Sequence, residues 1–583
     1  MAFNNFRIVH SDVLVIGSGV GGMRAAIEAK SLGASVLVVD KALIGLNNAS
    51  RFSGGGIKAA LPDVLTTYYT GQFPDPKIAF KRTLIHGEYL NDQELARALC
   101  FDAPERIMEL EEKFGVEHVG EIYHYTPYPH GHGLMKPLID TAKKGGVMTK
   151  EGTMIIELVK KNGAVVGALG IDIFEDDLIL FVAKSTILAA GEAGELYLRN
   201  DTTANTTGDG YTLAYEAGAP MRDMEFVMFE PFVMAEKGLP MMDRHESEAE
   251  FYGILRNNKG EAFLDRYLKR IGLESDPFHK RYGKHLTDTR ELVSRAMAME
   301  VHEGRGDQDA VLFDLTVVPE DKWTADIASV YTRRALLRGF DVKKKMLHVF
   351  PGCISFLGGV SINSNCETEL PGLYACGMVT GGVHGASRLG GHGLADGIVF
   401  GPRAGRAAAE RAKRIPMPQV DWSDVEQKKR EIDSLLAPKS DPIEPQEAKM
   451  KLKKMMWDNA GILRSEESLN RAMTELERMK KETLPRLAAS DPRSLRYAFE
   501  VIFMTTLAEM VVRAAQMRKE SRGPHYRLDR RYRDDAGWLK NIFITKGNDG
   551  SMRLELKPVT LTYEKPDYVV DDDFGLEVRR MAS

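Results

Sequence analysis

The apolar positions near the N-terminus follow two different spacings. The stretch VLVIG is continuously apolar, which is typical of a strand buried on both faces of a sheet. Met23, Ala26 and Ile27 then recur at helical spacing, Gly33 ends that helix, and VLVVD is a second buried strand. The pattern predicts a strand, a tight turn, a helix and a strand, which is how an α/β fold with a parallel sheet begins.

Other elements follow along the first half of the chain. Apolar residues recur at helical spacing between 85 and 115, and Asn91 or Asp92 is placed to cap a helix there. The segment 152–190 holds three short apolar runs, TMIIELV, VVGALGIDI and STILAAG, which predict strands.

The pattern changes character after about residue 240. The segment 240–345 is less regular and more charged, which indicates an inserted domain, whereas strand and glycine signals return over 347–403. Long helices with charged faces are predicted for 420–520. The C-terminal stretch TKGNDGSMRLELKPVTLTY predicts a hairpin with a Gly-Asn-Asp-Gly turn.

Composition narrows the class of protein. The chain has 583 residues, of which 43% are hydrophobic and 28% are charged, so we expect a globular protein of several domains. The formal net charge of -5 argues against nucleic acid as a partner, because binding phosphates usually needs a basic face. The N-terminus does not resemble a signal peptide, and no apolar run is long enough to cross a membrane. We therefore expect membrane association only through a partner.

The cysteines are few and scattered. None of the four lies in a C-x-x-C pair, so we expect neither an iron–sulfur cluster nor structural zinc in this chain, and four thiols suit a reducing cytosol. Two histidines in PHGHG, His130 and His132, are too few ligands to predict a metal site.

A glycine motif follows the first strand. Gly17, Gly19 and Gly22 form G-x-G-x-x-G between a strand and a helix, and Asp40 ends the second strand. This context predicts a dinucleotide site with the pyrophosphate at the helix N-terminus and Asp40 on a ribose hydroxyl. The motif alone does not separate FAD from NAD. The glycine run at 54–56 would suit a flat ring lying on backbone, although a flexible loop would explain it as well.

Four further motifs carry a resemblance to a known family. They are TGDGYTLAYEAGAPMRDMEF, TRELVSRAMAMEVHEGRG, PGLYACGMVTGGVHGASRLGGHGLADGIVFGPRAG and ESRGPHYRLDRRYRDDAGWLK. In this order they resemble the succinate dehydrogenase/fumarate reductase flavoprotein family, to which L-aspartate oxidase and, more distantly, adenylylsulfate reductase are related. The resemblance runs from about residue 10 to 545.

The resemblance implies an α/β architecture. A Rossmann-like FAD-binding domain would be split into residues 1–240 and 346–418, with an α+β capping domain inserted at 241–345. A C-terminal helical domain would follow at 419–535, and a tail at 536–583.

The resemblance also implies which residues contact FAD. They are Gly17, Ser18, Gly19, Val20, Gly21, Gly22, Asp40, Lys41, Ser50, Gly55, Gly56, Ala190, Gly191, Asp209, Met378, Gly393 and Leu394.

Two arginines carry the chemistry that the resemblance implies. Arg290 matches the family's proton donor and Arg388 matches the arginine that grips a substrate carboxylate, a geometry that suits a guanidinium. His384, in the same motif as Arg388, is expected to order its loop by hydrogen bonding. Read without the motif, Arg290 would form a salt bridge with Glu291 or Asp288.

The sequence departs from the family pattern at four positions. Ala49 replaces the histidine that carries covalent flavin in some members, so FAD should be bound non-covalently. Glu230 and Ile354 replace two substrate-binding histidines, and Met378 replaces a flavin-contacting glutamate. A carboxylate at 230 would repel a dicarboxylate unless it were protonated or turned away, so fumarate itself is in doubt. A related unsaturated acid or an acyl-CoA-like ligand stays open.

The resulting prediction is that the chain is one subunit of an FAD-dependent oxidoreductase. It would transfer a hydride between flavin N5 and an unsaturated or saturated carboxylic acid, and exchange electrons with a separate iron–sulfur subunit. We expect it in the cytoplasm, or on the cytoplasmic face of a membrane complex. The alternatives are an enzyme like L-aspartate oxidase or adenylylsulfate reductase, and a non-catalytic electron-relay flavoprotein.

Overall fold

The strands of the protein were located in a computed structural model, which describes residues 3–54, 56–57, 59, 75–117, 130–236, 253–269, 278–320, 323 and 338–566. They are β1 (Asn5–Ile16), β2 (Val36–Val39), β3 (Met148–Lys150), β4 (Thr153–Lys161), β5 (Ala164–Asp172), β6 (Asp177–Leu188), β7 (Met221–Arg222), β8 (Val227–Met234), β9 (Ile254–Arg256), β10 (Val311–Asp314), β11 (Leu347–Phe356), β12 (Gly359–Ser361), β13 (Leu373–Ala375), β14 (Thr380–Gly381), β15 (Leu463–Arg464), β16 (Tyr526–Arg527), β17 (Lys540–Lys546) and β18 (Met552–Pro558).

The helices occupy the remaining regular segments. They are α1 (Val20–Ser31), α2 (Ala49–Phe52), α3 (Pro76–His86), α4 (Gln93–Glu112), α5 (His130–Lys144), α6 (Asp209–Ala217), α7 (Leu264–Lys269), α8 (Phe278–His302), α9 (His392–Arg414), α10 (Trp422–Leu436), α11 (Pro445–Ala460), α12 (Glu466–Arg478), α13 (Pro492–Met517) and α14 (Asp535–Trp538). The predicted cap of α4 is Asp92, whose carboxylate accepts from the backbone N–H groups of Glu94 and Leu95.

The continuous apolar runs form the central sheet. Its order is β3-β2-β1-β6-β5-β4, and β13 pairs with β6. The β1 strand is parallel to both β2 and β6, as the α/β prediction requires. The predicted third strand at 185–191 was too short at its start, because β6 begins at Asp177, which pairs with Asn5 at the beginning of β1.

Two helices bring the halves of the nucleotide region together. A Cβ atom added to Gly401 on α9 would lie 2.6 Å from the carbonyl oxygen of Gly21, and one added to Gly405 would lie 2.3 Å from that of Ala25. Only glycine therefore lets α9 pack this closely on α1. The contact holds the N-terminus of α9 near the turn that precedes α1.

A second, antiparallel sheet has the order β8-β11-β10-β9. It has a separate apolar core, in which Phe232 and Phe313 pack with Met297 of α8 and Val349 of β11. The pairing of β11 with β8 places Gly352 opposite Glu230 and shifts register on both sides of this pair. Such irregularities re-aim side chains, and here they fall on the strands that carry Glu230 and Ser355.

The C-terminal region is helical, as predicted, and ends in the predicted hairpin. The β17 and β18 strands pair antiparallel, and β17 also pairs with β7 through Phe543 and Arg222. Most of α13 is buried, because its apolar residues share the main core with the central sheet. Within the described residues, we found no helix with the length and apolar character needed to cross a membrane.

Candidate active site

The glycine motif forms a tight turn between β1 and α1. Gly17 has φ of +105°, and a Cβ atom added to it would lie 2.3 Å from the carbonyl oxygen of Ala189. A Cβ atom added to Gly22 would lie 2.0 Å from the carbonyl oxygen of Gly17, so this helix can only approach the strand with glycine there. Gly19 is the N-cap of α1 and offers no side-chain cap. The first-turn N–H groups are thus presented to an anion.

Asp40 ends the second strand beside this turn. Its Oδ2 atom accepts from the Ser18 backbone N–H at 2.9 Å and from the Ser18 hydroxyl at 2.6 Å. Its Oδ1 atom accepts from the Ala42 N–H at 2.8 Å. The sequence led us to expect a ribose hydroxyl as the partner of Asp40, and the structure adds that this carboxylate also fixes the turn.

Lys41 and Asp209 are paired with each other. The Lys41 Nζ atom lies 2.8 Å from Asp209 Oδ2, and the Thr207 hydroxyl donates to Asp209 Oδ1 at 2.6 Å. Glu500 of α13 lies 3.6 Å from the same ammonium. The predicted FAD contacts at positions 41 and 209 therefore meet on one side of the nucleotide region, next to the helical domain.

The other predicted FAD contacts lie at the ends of strands and helices. Gly191 follows β6 with φ of +75°, and nothing described lies within 4 Å of where its Cβ atom would be. The Ser50 hydroxyl accepts from the Val20 N–H at 3.1 Å. The Met378 carbonyl accepts from the Tyr211 hydroxyl at 2.8 Å. The remaining contacts in the described part of the chain are Gly21, Gly56, Ala190, Gly393 and Leu394, while Gly55 lies outside the described residues.

These residues fit FAD. The uncapped first turn of α1 suits a pyrophosphate, and the open space at Gly191 lies where the carboxyl ends of the parallel strands meet, which is where ligands bind in such sheets. Gly393, at the start of α9, lies beside Arg388, since a Cβ atom added to it would be 3.7 Å from the guanidinium carbon.

Arg290 of α8 pairs with Glu230 of β8. The Nε atom of Arg290 lies 2.6 Å from Glu230 Oε2, and each side chain is only 8% exposed. The sequence alternative of a bridge to Glu291 does not hold, because Glu291 instead accepts from the Ser387 hydroxyl at 2.6 Å. The side chain of Asp288 lies outside the described residues.

Arg388 lies in the same buried pocket as Arg290. Burial lowers the pKa of Arg388 to about 10, and the neighbouring charge of Arg290 acts in the same direction. Its Nη1 atom donates to the Leu389 carbonyl at 3.0 Å. Its Nε atom is buried and has no hydrogen-bond partner among the described residues. A buried donor without a partner is costly, so this guanidinium is suited to an anionic ligand.

His384 is held against α9. Its Nε2 atom lies 3.0 Å from Asp396 Oδ2, and both side chains are 1% exposed. Burial lowers the pKa of His384, while the Asp396 carboxylate opposes the shift. This contact ties the loop that carries Arg388 to the helix behind it.

Sequence reasoning missed two features of the pocket. Glu192, in the loop after β6, accepts from the Phe356 backbone N–H at 3.2 Å and acts electrostatically on Arg388. Ser387, adjacent to Arg388, lies 3.0 Å from His86 Nε2 in addition to its bond to Glu291. The signal for Glu192 was present, since an acid follows the Ala-Ala-Gly that ends a buried strand.

The described residues hold no cluster of histidine, cysteine and acidic side chains with metal-site geometry. The side chain of His130 lies outside them. All four cysteines are buried thiols, at positions 100, 353, 366 and 376.

Comparison with known proteins places the fold. The FAD binding domain family matches residues 12–394, and the fumarate reductase flavoprotein C-terminal family matches residues 449–570. An uncharacterised FAD-dependent oxidoreductase of Methanocaldococcus jannaschii is 32% identical over 97% of this chain and 99% of its own. One subunit of the CoM/CoB fumarate reductase of Methanothermobacter marburgensis is 33% identical over 90% of this chain and 95% of its own.

A solved structure agrees with these relatives. The FrdA chain of Escherichia coli quinol fumarate reductase superposes with a TM-score of 0.83 at 25% identity, over 96% of this chain and 98% of that chain. The family matches, the relatives and the shared fold all point the same way. The chain belongs to the succinate dehydrogenase/fumarate reductase flavoprotein family and is an FAD-dependent oxidoreductase.

Proposed function

We propose that the protein is the flavoprotein subunit of an enzyme that interconverts an unsaturated carboxylic acid and its saturated form. The observation that supports this most directly is the placement of Arg290 and Arg388 in one buried pocket, next to Gly393 at the predicted flavin site. FAD, when bound, would supply or accept the hydride at its N5 atom. Side chains of this protein would bind the acid and move the proton.

Arg388 would bind the substrate carboxylate. A guanidinium can donate two parallel hydrogen bonds to a carboxylate, and it stabilises negative charge that develops there when a hydride reaches the adjacent double bond. The buried Nε atom that has no partner among the described residues provides one such donor. The bond from Nη1 to the Leu389 carbonyl fixes the orientation of the group.

Arg290 would deliver or remove the proton at the neighbouring carbon. Its contact with Glu230 at 2.6 Å gives it a carboxylate with which a proton can be exchanged. His384 would keep the Arg388 loop in place through Asp396 rather than transfer protons. We propose, in addition, that FAD is bound non-covalently, since Ala49 offers no nucleophilic atom at the first position of α2.

We propose that electrons pass to or from a separate iron–sulfur protein, with any membrane contact made through partners on the cytoplasmic side. The relatives support this, because they are named as subunits of larger fumarate reductases. The domain boundaries predicted from the sequence stay a prediction.

Anaerobic reoxidation of the reduced holoenzyme tests the proposed reaction. Purified protein should show visible flavin bands, acid precipitation should release the flavin, and an unsaturated acid should reoxidise the reduced flavin. Peroxide formed with L-aspartate in air would favour the L-aspartate oxidase alternative. Unchanged turnover in Arg290→Ala would remove that arginine from the mechanism, and reoxidation by no acid at all would favour the electron-relay alternative.

A further inference from the structure

The pocket around Arg388 holds more carboxylates than guanidinium groups. The charge of Arg290 lowers the pKa of Arg388, whereas those of Glu192, Glu230 and Glu291 raise it, so all four lie close enough to act on it. Glu230 is bonded to Arg290, and Glu291 accepts from Ser387. Glu192 is thus the carboxylate left to balance Arg388.

Glu192 is fixed in this place by backbone. It follows Gly191 in the loop after β6, and its Oε2 atom accepts from the Phe356 N–H of β11 at 3.2 Å. The Ser355 side chain also acts on the carboxylate. Two separate strands therefore hold Glu192 on the Arg388 side of the pocket.

The ionisable groups around Glu192 come from several elements. Asp396 of α9 raises its pKa, Arg388 lowers it, and Tyr211 of α6 and Cys353 of β11 are buried groups on which Glu192 itself acts. Burial is the largest effect, and it raises the pKa of Glu192 to about 7. Near neutral pH this carboxyl group is divided between its charged and neutral forms.

We infer that the pocket selects acids with a single carboxylate and an uncharged remote end, such as a 2-enoate, and that Glu192 and Glu230 exclude dicarboxylates. The inference rests on the proposed function and names its substrate class. One substrate carboxylate can be bound by Arg388, but a second one would meet Glu230 or Glu192 in a buried setting. Like charges brought together away from water are strongly unfavourable, and a specific site often depends on such repulsion.

The dependence on pH follows from the same groups. Below the pKa of Glu192 its carboxyl group is neutral, so the penalty on a second substrate charge falls. Arg388 stays positively charged throughout this range, because its pKa of about 10 is higher. Binding of dicarboxylates should therefore strengthen as the pH falls through about 7, while binding of monocarboxylates should change much less.

Equilibrium titration of the oxidised holoenzyme tests the inference without turnover. But-2-enoate and fumarate, which share a carbon skeleton of four atoms, are added separately while the visible flavin absorbance is followed, at pH about 8.5 and about 5.5. At the higher pH but-2-enoate should bind about tenfold more tightly than fumarate, or better. At the lower pH this ratio should shrink.

Two conservative variants and a control sharpen the result. Glu192→Gln and Glu230→Gln should each strengthen fumarate binding by about tenfold, with little change for but-2-enoate, because they remove a charge and keep the shape. Glu410→Gln, an exposed acid on α9, should leave both affinities unchanged. Equal or tighter binding of fumarate by the unaltered enzyme overturns the inference, as does a ratio that neither variant nor pH changes.

The same experiment separates the inference from the proposed function. If fumarate is bound and reduced better than but-2-enoate, the carboxylic acid chemistry stands and only the selectivity is wrong. If neither acid perturbs the flavin and neither reoxidises the reduced enzyme, the proposed reaction itself is wrong, and the inference is wrong with it.

Discussion

The nucleotide region and the substrate pocket of this protein are built in different ways. The nucleotide region depends on backbone: Gly17 and Gly22 let a strand and a helix approach, and the first turn of α1 presents its N–H groups. The pocket depends on side chains, since Arg290 and Arg388 arrive from segments far apart in sequence and meet opposing carboxylates. Substitutions in the two regions should therefore fail in different ways, the first in cofactor binding and the second in chemistry.

The largest expected effect belongs to the pocket. Arg388→Ala should lower the second-order rate of reoxidation by a carboxylic acid by about 10²–10³-fold, as removal of a single charge-stabilising donor does in other sites. The flavin content should stay close to that of the unaltered protein, because the nucleotide region is untouched. Stopped-flow reoxidation and the ratio of visible to ultraviolet absorbance measure the two quantities.

The matched control is Arg406→Ala. Arg406 also lies on or near the last segment of the nucleotide region, but it is 57% exposed and pairs with Glu28 on the surface. It should change neither rate nor flavin content. A loss below about tenfold in Arg388→Ala would mean that this arginine does not bind the reacting carboxylate.

The contrast between the regions also explains what sequence could predict. The glycine motif and Asp40 lie within one short segment, where spacing alone fixes a strand, turn and helix, so the fold class and FAD were predicted correctly. Two details of the region were not predicted: the bonds from Ser18 to Asp40 and the pairing of Lys41 with Asp209. They join segments whose contacts no local spacing reveals.

The pocket was harder to predict for the same reason. The partner of Arg290 is Glu230, sixty residues earlier on another element, rather than its sequence neighbour Glu291. Glu192 was missed because its role depends on the pairing of β11, which brings Phe356 to it. Residues that act through long-range contacts were therefore named only where a family motif contained them, as with Arg290 and Arg388.

The next effect tests the backbone side of the comparison. Gly22→Ala adds a Cβ atom that would lie 2.0 Å from the Gly17 carbonyl oxygen, so α1 must shift from the turn. We expect a cost of about 3 kcal/mol, the upper end for overpacking, and FAD affinity about 100-fold lower. Isothermal titration of apoprotein with FAD measures it, and Gly33→Ala serves as the comparison.

Gly33 differs from Gly22 in its surroundings. It ends α1 with φ of +89° and has nothing described within 4 Å of its Cβ position, so Gly33→Ala adds backbone strain without a collision at the nucleotide site. It should lower stability while leaving FAD affinity nearly unchanged. Equal losses of FAD affinity in the two variants would argue against the backbone explanation.

A smaller effect should come from Ser387, which links the pocket to its surroundings. Its hydroxyl donates to Glu291 at 2.6 Å and contacts His86 at 3.0 Å, next to Arg388 in sequence. Ser387→Ala should lower the reoxidation rate by about tenfold, because a hydrogen bond to a charged group contributes about 1.5–3 kcal/mol. The loss should appear mainly in the Michaelis constant if the bond positions Arg388 for binding. An unchanged rate together with an unchanged Michaelis constant would contradict the positioning role.

The smallest effect should come from Asp40, where the two kinds of construction overlap. Asp40 is a side chain, but its partners are the Ser18 N–H, the Ser18 hydroxyl and the Ala42 N–H, so it acts on backbone. Asp40→Asn keeps one carbonyl oxygen and loses one acceptor, so we expect a cost near 1 kcal/mol and about fivefold weaker FAD binding. Substrate selectivity should stay the same once FAD is saturating, and titration of the FAD-loaded variant with but-2-enoate and fumarate checks this. A change in that selectivity would show that the turn around Asp40 also sets the geometry of the substrate pocket, and the two regions could then no longer be treated as separate.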